Sequence, residues 1–454
     1  MTFFDHAKRT LSLALPMMLA QGLSLAAYII DTVMVGQAGG EELAFLSTGR
    51  AVVLVVIMVG IGLLNGVIVL TARADGAGDP MLCGRLWKSG LIYAGLLGAC
   101  AVLAISFGGG PALAAVGLAP DLVVGGGRYL AYMGFAIPGT YFFVCSNFFL
   151  QGLSRPKPGM VAMLLATPLN IGLNLIMIYG YWGFPAMGAA GAALATAISQ
   201  WSAALGLFLY IRGMKDRSRF GIGSGTLSLR ALWHDGARVR YFGFPLGVAS
   251  GLEFLGSTAN IMFAGLIGAV TLSGLEVVYN MHLLAFIVCF SIASATSVRV
   301  GNAVGAQRLG DIPRIVPTGV SLAFLSMLPF ALAYALLPGP FFSLFTPDLK
   351  IHAMARLMLP FILVALFFDA MQFVLLHSLR AAGDQWTASI LQVTAFLLVM
   401  VPAAWILAFP AGFGGPGIAA SFAIGSSTAA VLLGGRFALL ARRNAFRQST
   451  DIKT

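Results

Sequence analysis

Apolar residues fall in long runs along this chain, and polar ones collect in short clusters between them. Glycine, proline and charge clusters cut the sequence into twelve runs, at about 11–36, 44–72, 86–109, 126–152, 158–182, 187–213, 241–267, 276–304, 314–340, 354–381, 386–410 and 414–441. As a helix, each run is long enough to cross a hydrocarbon layer of roughly 30 Å. A transmembrane β-barrel would instead show short segments of alternating polarity. The pattern therefore predicts an all-α integral membrane protein of twelve transmembrane helices. The stretch "LSLAA" in the first run has the small residues of a leader cleavage site. The run continues past Asp31 to Gly36, however, and is read as a span.

The second six runs repeat the first six. "LPMMLAQGLSLAAYIIDTVMVG" aligns with "FPLGVASGLEFLGSTANIMFAG", which sets Pro16 against Pro245. "FFVCSNFFLQGLSRP" aligns with "FFDAMQFVLLHSLRA", and "GAAGAALATAIS" with "GGPGIAASFAIG". An even number of spans per half makes the repeats parallel. The expected organisation is two pseudo-symmetric six-helix bundles, 1–213 and 241–441, joined by a basic linker at 214–240 and followed by a tail at 442–454. Transporters built from repeats place substrate and ion sites at depth, near the repeat interface.

Composition agrees: 59% of residues are hydrophobic and 9% charged, with a mean hydropathy of +0.91. The net charge of +11 would suit nucleic acid, but its distribution points to topology and excludes that partner. With the amino terminus in the cytoplasm, all but four of the 27 Lys and Arg fall on the inner side. The four outer ones are Arg50, Arg128, Lys350 and Arg356. This positive-inside bias puts both termini and the linker in the cytoplasm, with weak attraction to anionic lipid besides. The four cysteines, Cys83, Cys100, Cys145 and Cys289, are scattered without metal or redox spacing and read as packing residues.

All but three of the 16 Asp and Glu lie in loops or termini; the exceptions are Asp31, Glu253 and Asp369. A charge at the bilayer centre costs roughly 2.5–3.5 kcal/mol on insertion scales. With no Lys or Arg read deep in any span, these carboxyls must be protonated or neutralised by a mobile cation, which suits a proton or sodium carrier. Asp31 shares a helix face with Tyr28 and Ser24, and the repeat places Asn260, Ser257 and Glu253 on the matching face. Asn170 and Asn174 sit one turn apart in the fifth run, near Thr167. Their repeat mates Phe396 and Met400 are apolar, so the amino-terminal half carries a set of hard oxygen ligands that the other half lacks. His377 reads as a boundary residue, and His282 has no evident partner in the sequence. "GFGGPG" and "GIGSG" follow no strand and do not read as nucleotide loops.

Twelve helices in two lobes, "IIDTVMVGQAGGEELA", "LQGLSRPKPGM", "GLEFLGSTANIMF" and "FFDAMQFVLLHSLRAAGDQW" together resemble the multidrug and toxic compound extrusion (MATE) family, in its NorM-like bacterial branch. The resemblance covers essentially the whole chain. It implies a secondary active antiporter that exports organic cations and amphipathic drugs across the bacterial inner membrane in exchange for Na+ or H+, by alternating access. It carries cation binding onto Asp31, Asn170, Asn174 and Tyr129 in one half and onto Glu253 and Asp369 in the other. Na+ would sit at Asp31 or at Glu253 and Asp369. Tyr28, Ser24, Ser257, Asn260 and Gln372 are expected to line the substrate cavity. Some relatives have a second Asp where this chain has Asn174, which leaves one carboxylate in the amino-terminal site.

The expected protein is a monomer, not an enzyme, and needs no cofactor beyond the coupling ion. Its partners are small cationic or amphipathic molecules and membrane lipid. The alternative is a related flippase for lipid-linked precursors, whose pyrophosphate would call for cavity Arg or Lys. An intramembrane enzyme would need a partnered catalytic group at depth, and a channel would need a filter-like motif.

Overall fold

The computed structural model describes residues 3–115, 120–223, 233–234 and 236–442. The expected tail from 443 onward, and the centre of the linker, lie outside the described residues. Helices account for almost all the rest, with no strand among the described residues. In the first half they are α1 (Phe3–Ala38), α2 (Gly40–Leu64), α3 (Gly66–Gly76), α4 (Pro80–Ala115), α5 (Pro120–Gly152), α6 (Lys157–Tyr179) and α7 (Gly188–Gly213). In the second they are α8 (Ala237–Ile267), α9 (Ala269–Gly305), α10 (Ile312–Leu336), the short α11 (Pro338–Ser343), α12 (Leu349–Ala382), α13 (Gln385–Val393), α14 (Val401–Ala408) and α15 (Gly414–Arg442). Helices α2 and α3 form one span interrupted at Asn65. Helices α13 and α14 form another, joined by a π-helical turn at Thr394–Met400. Twelve spans result.

Eleven of them pass a test of length and apolarity among the described residues, and Ala237–Ile267 is the exception. It is 31 residues long, but Glu253, Ser257, Thr258 and Asn260 lower its hydropathy. Two of these polar groups have hydrogen-bond partners on other helices, Glu253 in Gln392 and Asn260 in Ser421.

The repeat is visible in backbone detail. Helices α1 and α2 meet at Gly39 with φ 158° and ψ 151°, and α8 and α9 meet at Gly268 with φ 144° and ψ 165°. The two glycines occupy equivalent places in the repeat. This region of φ/ψ is essentially restricted to glycine, so each joint turns the chain within one residue. Each half also has a hub. Helix α5 packs on α2, α3, α4 and α7, and its repeat mate α12 packs on α9, α10, α13 and α15. Glu42 of α2 accepts a hydrogen bond from the Ala189 N–H at 2.7 Å, so a carboxylate meets the electropositive start of α7. The π-helical turn precedes Pro402, whose ring and missing N–H disrupt the regular ladder there.

By internal contacts the chain forms two compact units, Pro16–Gly247 in one, and Met1–Leu15 with Val248–Thr454 in the other. The divisions fall inside α1 and α8, beside the prolines that the repeat aligns. Within the first unit, α2–α3 and the start of α8 cross with their backbones touching. A Cβ on Gly243 would lie 1.8 Å from the Leu63 carbonyl oxygen, and one on Gly62 would lie 2.8 Å from the Gly247 Cα. Within the second unit, Arg299 of α9 donates to the His6 carbonyl at 2.8 Å and to Thr10 Oγ1 at 2.6 Å, holding the first turns of α1.

Two predictions follow from these contacts. Gly243→Ala forces backbone apart, so overpacking should destabilise the fold by about 1–3 kcal/mol or more. Thermal unfolding of the purified protein should show that loss, while Gly22→Ala, with open space around it, should be neutral or slightly stabilising. The second concerns Arg155, which binds Asp216 through both carboxylate oxygens at 3.2 and 2.6 Å, outside the spans. These hydrogen bonds hold the Asp216 carboxyl below its usual range. A depressed carboxyl contributes stability above its unfolded pKa of about 3.9 and loses it as pH falls through the folded value. With the Arg155 side chain 44% exposed, that contribution should stay below about 1 kcal/mol. Asp216→Asn should remove it, measured as a smaller fall in unfolding temperature between about pH 6 and pH 3.

Candidate functional site

The amino-terminal site is built around Asp31, which α1 carries into the interior of its half. Asn174 of α6 donates to Asp31 Oδ1 at 2.6 Å, and Thr196 of α7 donates to Oδ2 at 3.2 Å. The same Asn174 amide reaches Asn170 Oδ1 at 3.3 Å, and Asn170 reaches Thr196 Oγ1 at 3.5 Å. Asn174 Oδ1 is buried and has no hydrogen-bond partner, so an unused oxygen lies beside the carboxylate. Among the described residues no cluster of three His, Cys, Asp or Glu exists. The oxygen set here suits a hard monovalent cation or a proton rather than a transition metal.

Asp31 opens onto a cavity of about 170 Å³. Ser24, Tyr28, Tyr129 and Asn170 line it together with apolar residues such as Val53, Ile57 and Met163. The structure thus gathers the polar stripe of α1 and the amides of α6 into one place. It also corrects one expectation. No Lys or Arg was read deep in any span, yet Arg50 lies about 15 Å along α2 from its start, is only 9% exposed, and lines the same cavity. Its guanidinium sits 4.0 Å over the ring of Tyr28, donates to Thr32 Oγ1 at 2.7 Å and shares the cavity wall with Tyr129.

The carboxy-terminal acids occupy a second site, where the structure gives each its own partner. Asp369 of α12 meets His282 Nε2 of α9 at 2.7 Å, and Gln372 approaches its other oxygen at 3.5 Å. The His282 ring lies between Tyr279 and Phe286, one turn to either side on α9. Glu253 of α8 accepts from Gln392 at 2.6 Å, just before the π-helical turn, and Gln392 accepts from Arg380 at 2.7 Å. Arg380, in the last turn of α12, is buried, 6% exposed, and reaches this acid through Gln392. Ser257 lies one turn along α8 from Glu253. Asn260 turns aside to Ser421 at 3.3 Å and takes part in neither acid's shell. His377, five residues before the end of α12, is buried against Phe290, with Nδ1 on the Phe373 carbonyl.

Sequence reasoning missed Thr196, Arg380 and Gln392, and it named Arg50 and His282 without finding their partners. Gln392 was accessible to the same logic that found the acids, being a polar residue inside an apolar run. His282 was seen but lacked a partner, because Asp369 lies 87 residues away.

Comparison with known proteins supplies the family. The MatE family model matches residues 16–176 and matches again at 245–406, one copy in each half. A probable multidrug resistance protein NorM of Caulobacter vibrioides is 32% identical over 432 residues, covering 95% of this chain and 91% of that protein. Another from Rhizobium meliloti is 30% identical over 447 residues, covering 96% and 94%. Among solved structures, the eukaryotic MATE transporter AtDTX14 superposes with a TM-score of 0.90 at 22% identity, over 99% of each chain. An outward-facing multidrug resistance MATE family transporter of the MOP superfamily gives 0.84 at 22%, over 98% of this chain and 97% of that one. With the twelve spans, the doubled family match and the full-length relatives in hand, the chain belongs to the MATE family of multidrug efflux transporters.

Proposed function

We propose that this protein is a secondary active antiporter, exporting organic cations and other amphipathic compounds across the bacterial inner membrane in exchange for Na+ or H+. In this reading it works as a monomer by alternating access, with both termini in the cytoplasm and no cofactor besides the coupling ion. The observation that carries it is Asp31. A buried carboxylate sits at the wall of an otherwise largely apolar cavity, held by groups on two other helices. Ionised, it offers the cationic group of a substrate a local partner, although Arg50 shares the cavity; with a bound ion or proton it is neutral and that partner is lost. An ion drives the cycle only if it binds the two conformations with different affinity.

The carboxy-terminal acids offer a second place for the coupling ion. His282 beside Asp369 can take or give a proton, whereas Glu253 already has an amide and, through it, a guanidinium to balance it. The flippase alternative is disfavoured by charge. One arginine shares the amino-terminal cavity with one carboxylate, which leaves no net positive field for a pyrophosphate.

Reconstituted vesicles under separate sodium and proton gradients test the reading. Asp31→Asn keeps the shape of the side chain and should lower export at least about tenfold under the productive gradient, a loss of about 1.4 kcal/mol. Export equal to the parent under both gradients would remove Asp31 from the mechanism. Asp369→Asn locates the coupling: if the carboxy-terminal site carries the driving ion, the variant should still bind substrate but lose the response of export to the gradient.

A further inference from the structure

Helix α1 starts with a buried histidine pressed against an arginine. His6 is 3% exposed and Arg299 of α9 is 9% exposed, both within the unit formed by Met1–Leu15 and Val248–Thr454. Arg299 spreads its guanidinium over the first turns of α1. Its Nη1 donates to the His6 carbonyl at 2.8 Å and to Thr10 Oγ1 at 2.6 Å, and its Nη2 meets His6 Nδ1 at 2.5 Å. Thr10, also buried, donates back to the His6 carbonyl at 3.1 Å. A guanidinium has five donors and no acceptor. His6 Nδ1 must therefore accept, which makes the ring neutral with its proton on Nε2. A proton added at Nδ1 turns that acceptor into a donor and sets a second cation against a buried guanidinium.

We propose that His6 and Arg299 form a latch that senses cytoplasmic acid: the neutral imidazole holds the first turns of α1 on α9, and its protonation releases them and slows export. The charged groups that face His6 are Arg299 on α9, Asp311 in the turn Leu309–Asp311, and Arg9 and the amino terminus at its own end of the chain. Asp311 favours the protonated ring. Burial, the strongest influence, and the three cationic groups oppose it, so latched His6 titrates below the ordinary value of 6.5. Released His6 takes a proton near 6.5 while latched His6 does not. The latch is thus intact above that pH and weakens as pH falls through 6.5 towards the latched value. Helix α1 also carries Asp31, so the latch fixes the start of the helix that bears the buried acid. The effect on export rests on the antiport reading, and the latch itself does not.

Two measurements on the purified full-length protein test the latch without any gradient. Nuclear magnetic resonance of histidine-labelled protein should show the His6 ring, assigned by its loss in His6→Gln, as the Nε2–H tautomer that titrates below about 6.5. The other tautomer, or titration at or above that value, overturns the proposal. Amide hydrogen exchange in the first turns of α1, corrected for the intrinsic effect of pH, gives the second. Protection should fall by up to about tenfold per pH unit below about pH 6.5. His6→Gln offers an acceptor that does not titrate and should stay flat, while Arg299→Gln should leave these amides weakly protected at every pH. A parent without a pH response, or the same response in His6→Gln, overturns the latch. In vesicles, the export rate of His6→Gln relative to the parent under the same gradient should rise at least about threefold as cytoplasmic pH falls from about 7.5 to about 5.5. An unchanged ratio with a responsive latch overturns the control of export. A responsive latch with no export by either protein under any gradient sinks the antiport reading instead.

Discussion

A carboxylate inside a hydrocarbon layer has no water to lean on, so the fold must supply every partner it needs. That constraint organises both halves of this transporter. Asp31 on α1 is served from α6 and α7, Asp369 on α12 from α9, and Glu253 on α8 from α13. In each case the partner comes from a different helix, so each acid also ties helices of its half together. Removing one partner exposes a polar group to a penalty of a few kcal/mol. The same penalty makes the acids usable: a site that holds a charge only by hydrogen bonds can exchange those bonds for a cation.

The two halves share a frame and differ in chemistry. Gly39 and Gly268 make the same joint, and α5 and α12 serve as the same hub. Where α6 presents Asn170 and Asn174, the matching segment of the second half is a π-helical turn bearing Phe396 and Met400. Its polar contribution moves to Gln392, just before the turn. One half therefore stores its acid among amides and a hydroxyl beside an open cavity. The other stores two acids, one against an imidazole and one against an amide backed by a guanidinium. Duplication supplied the scaffold, and local substitution gave each copy its own partners for its acids.

Spans, repeat and acids were legible in the sequence because each depends on local pattern. Hydropathy sets the runs, and alignment of the halves identifies the eighth helix even though its polar face lowers its hydropathy. The missing parts are those that depend on distance or on a boundary. His282 and Asp369, or Gln392 and Glu253, are joined across 87 and 139 residues, and no local pattern announces such a pair. Arg50 was misplaced for a smaller reason. The start of the second span was read four residues late, and a charge six residues inside that apparent boundary was counted with the outer side and not as a deep one. In the folded chain α2 begins at Gly40, directly after the glycine joint, which carries Arg50 well inside.

That joint has a mechanical meaning. Asp31 lies two turns before Gly39 on one arm and Arg50 three turns after it on the other, so the glycine works as the pivot of a caliper whose jaws bear opposite charges. A one-residue pivot has no slack to absorb. Arg50 reaches back across the joint to Thr32 and Tyr28 on the first arm, so the angle between α1 and α2 and the gauge of the cavity are set together.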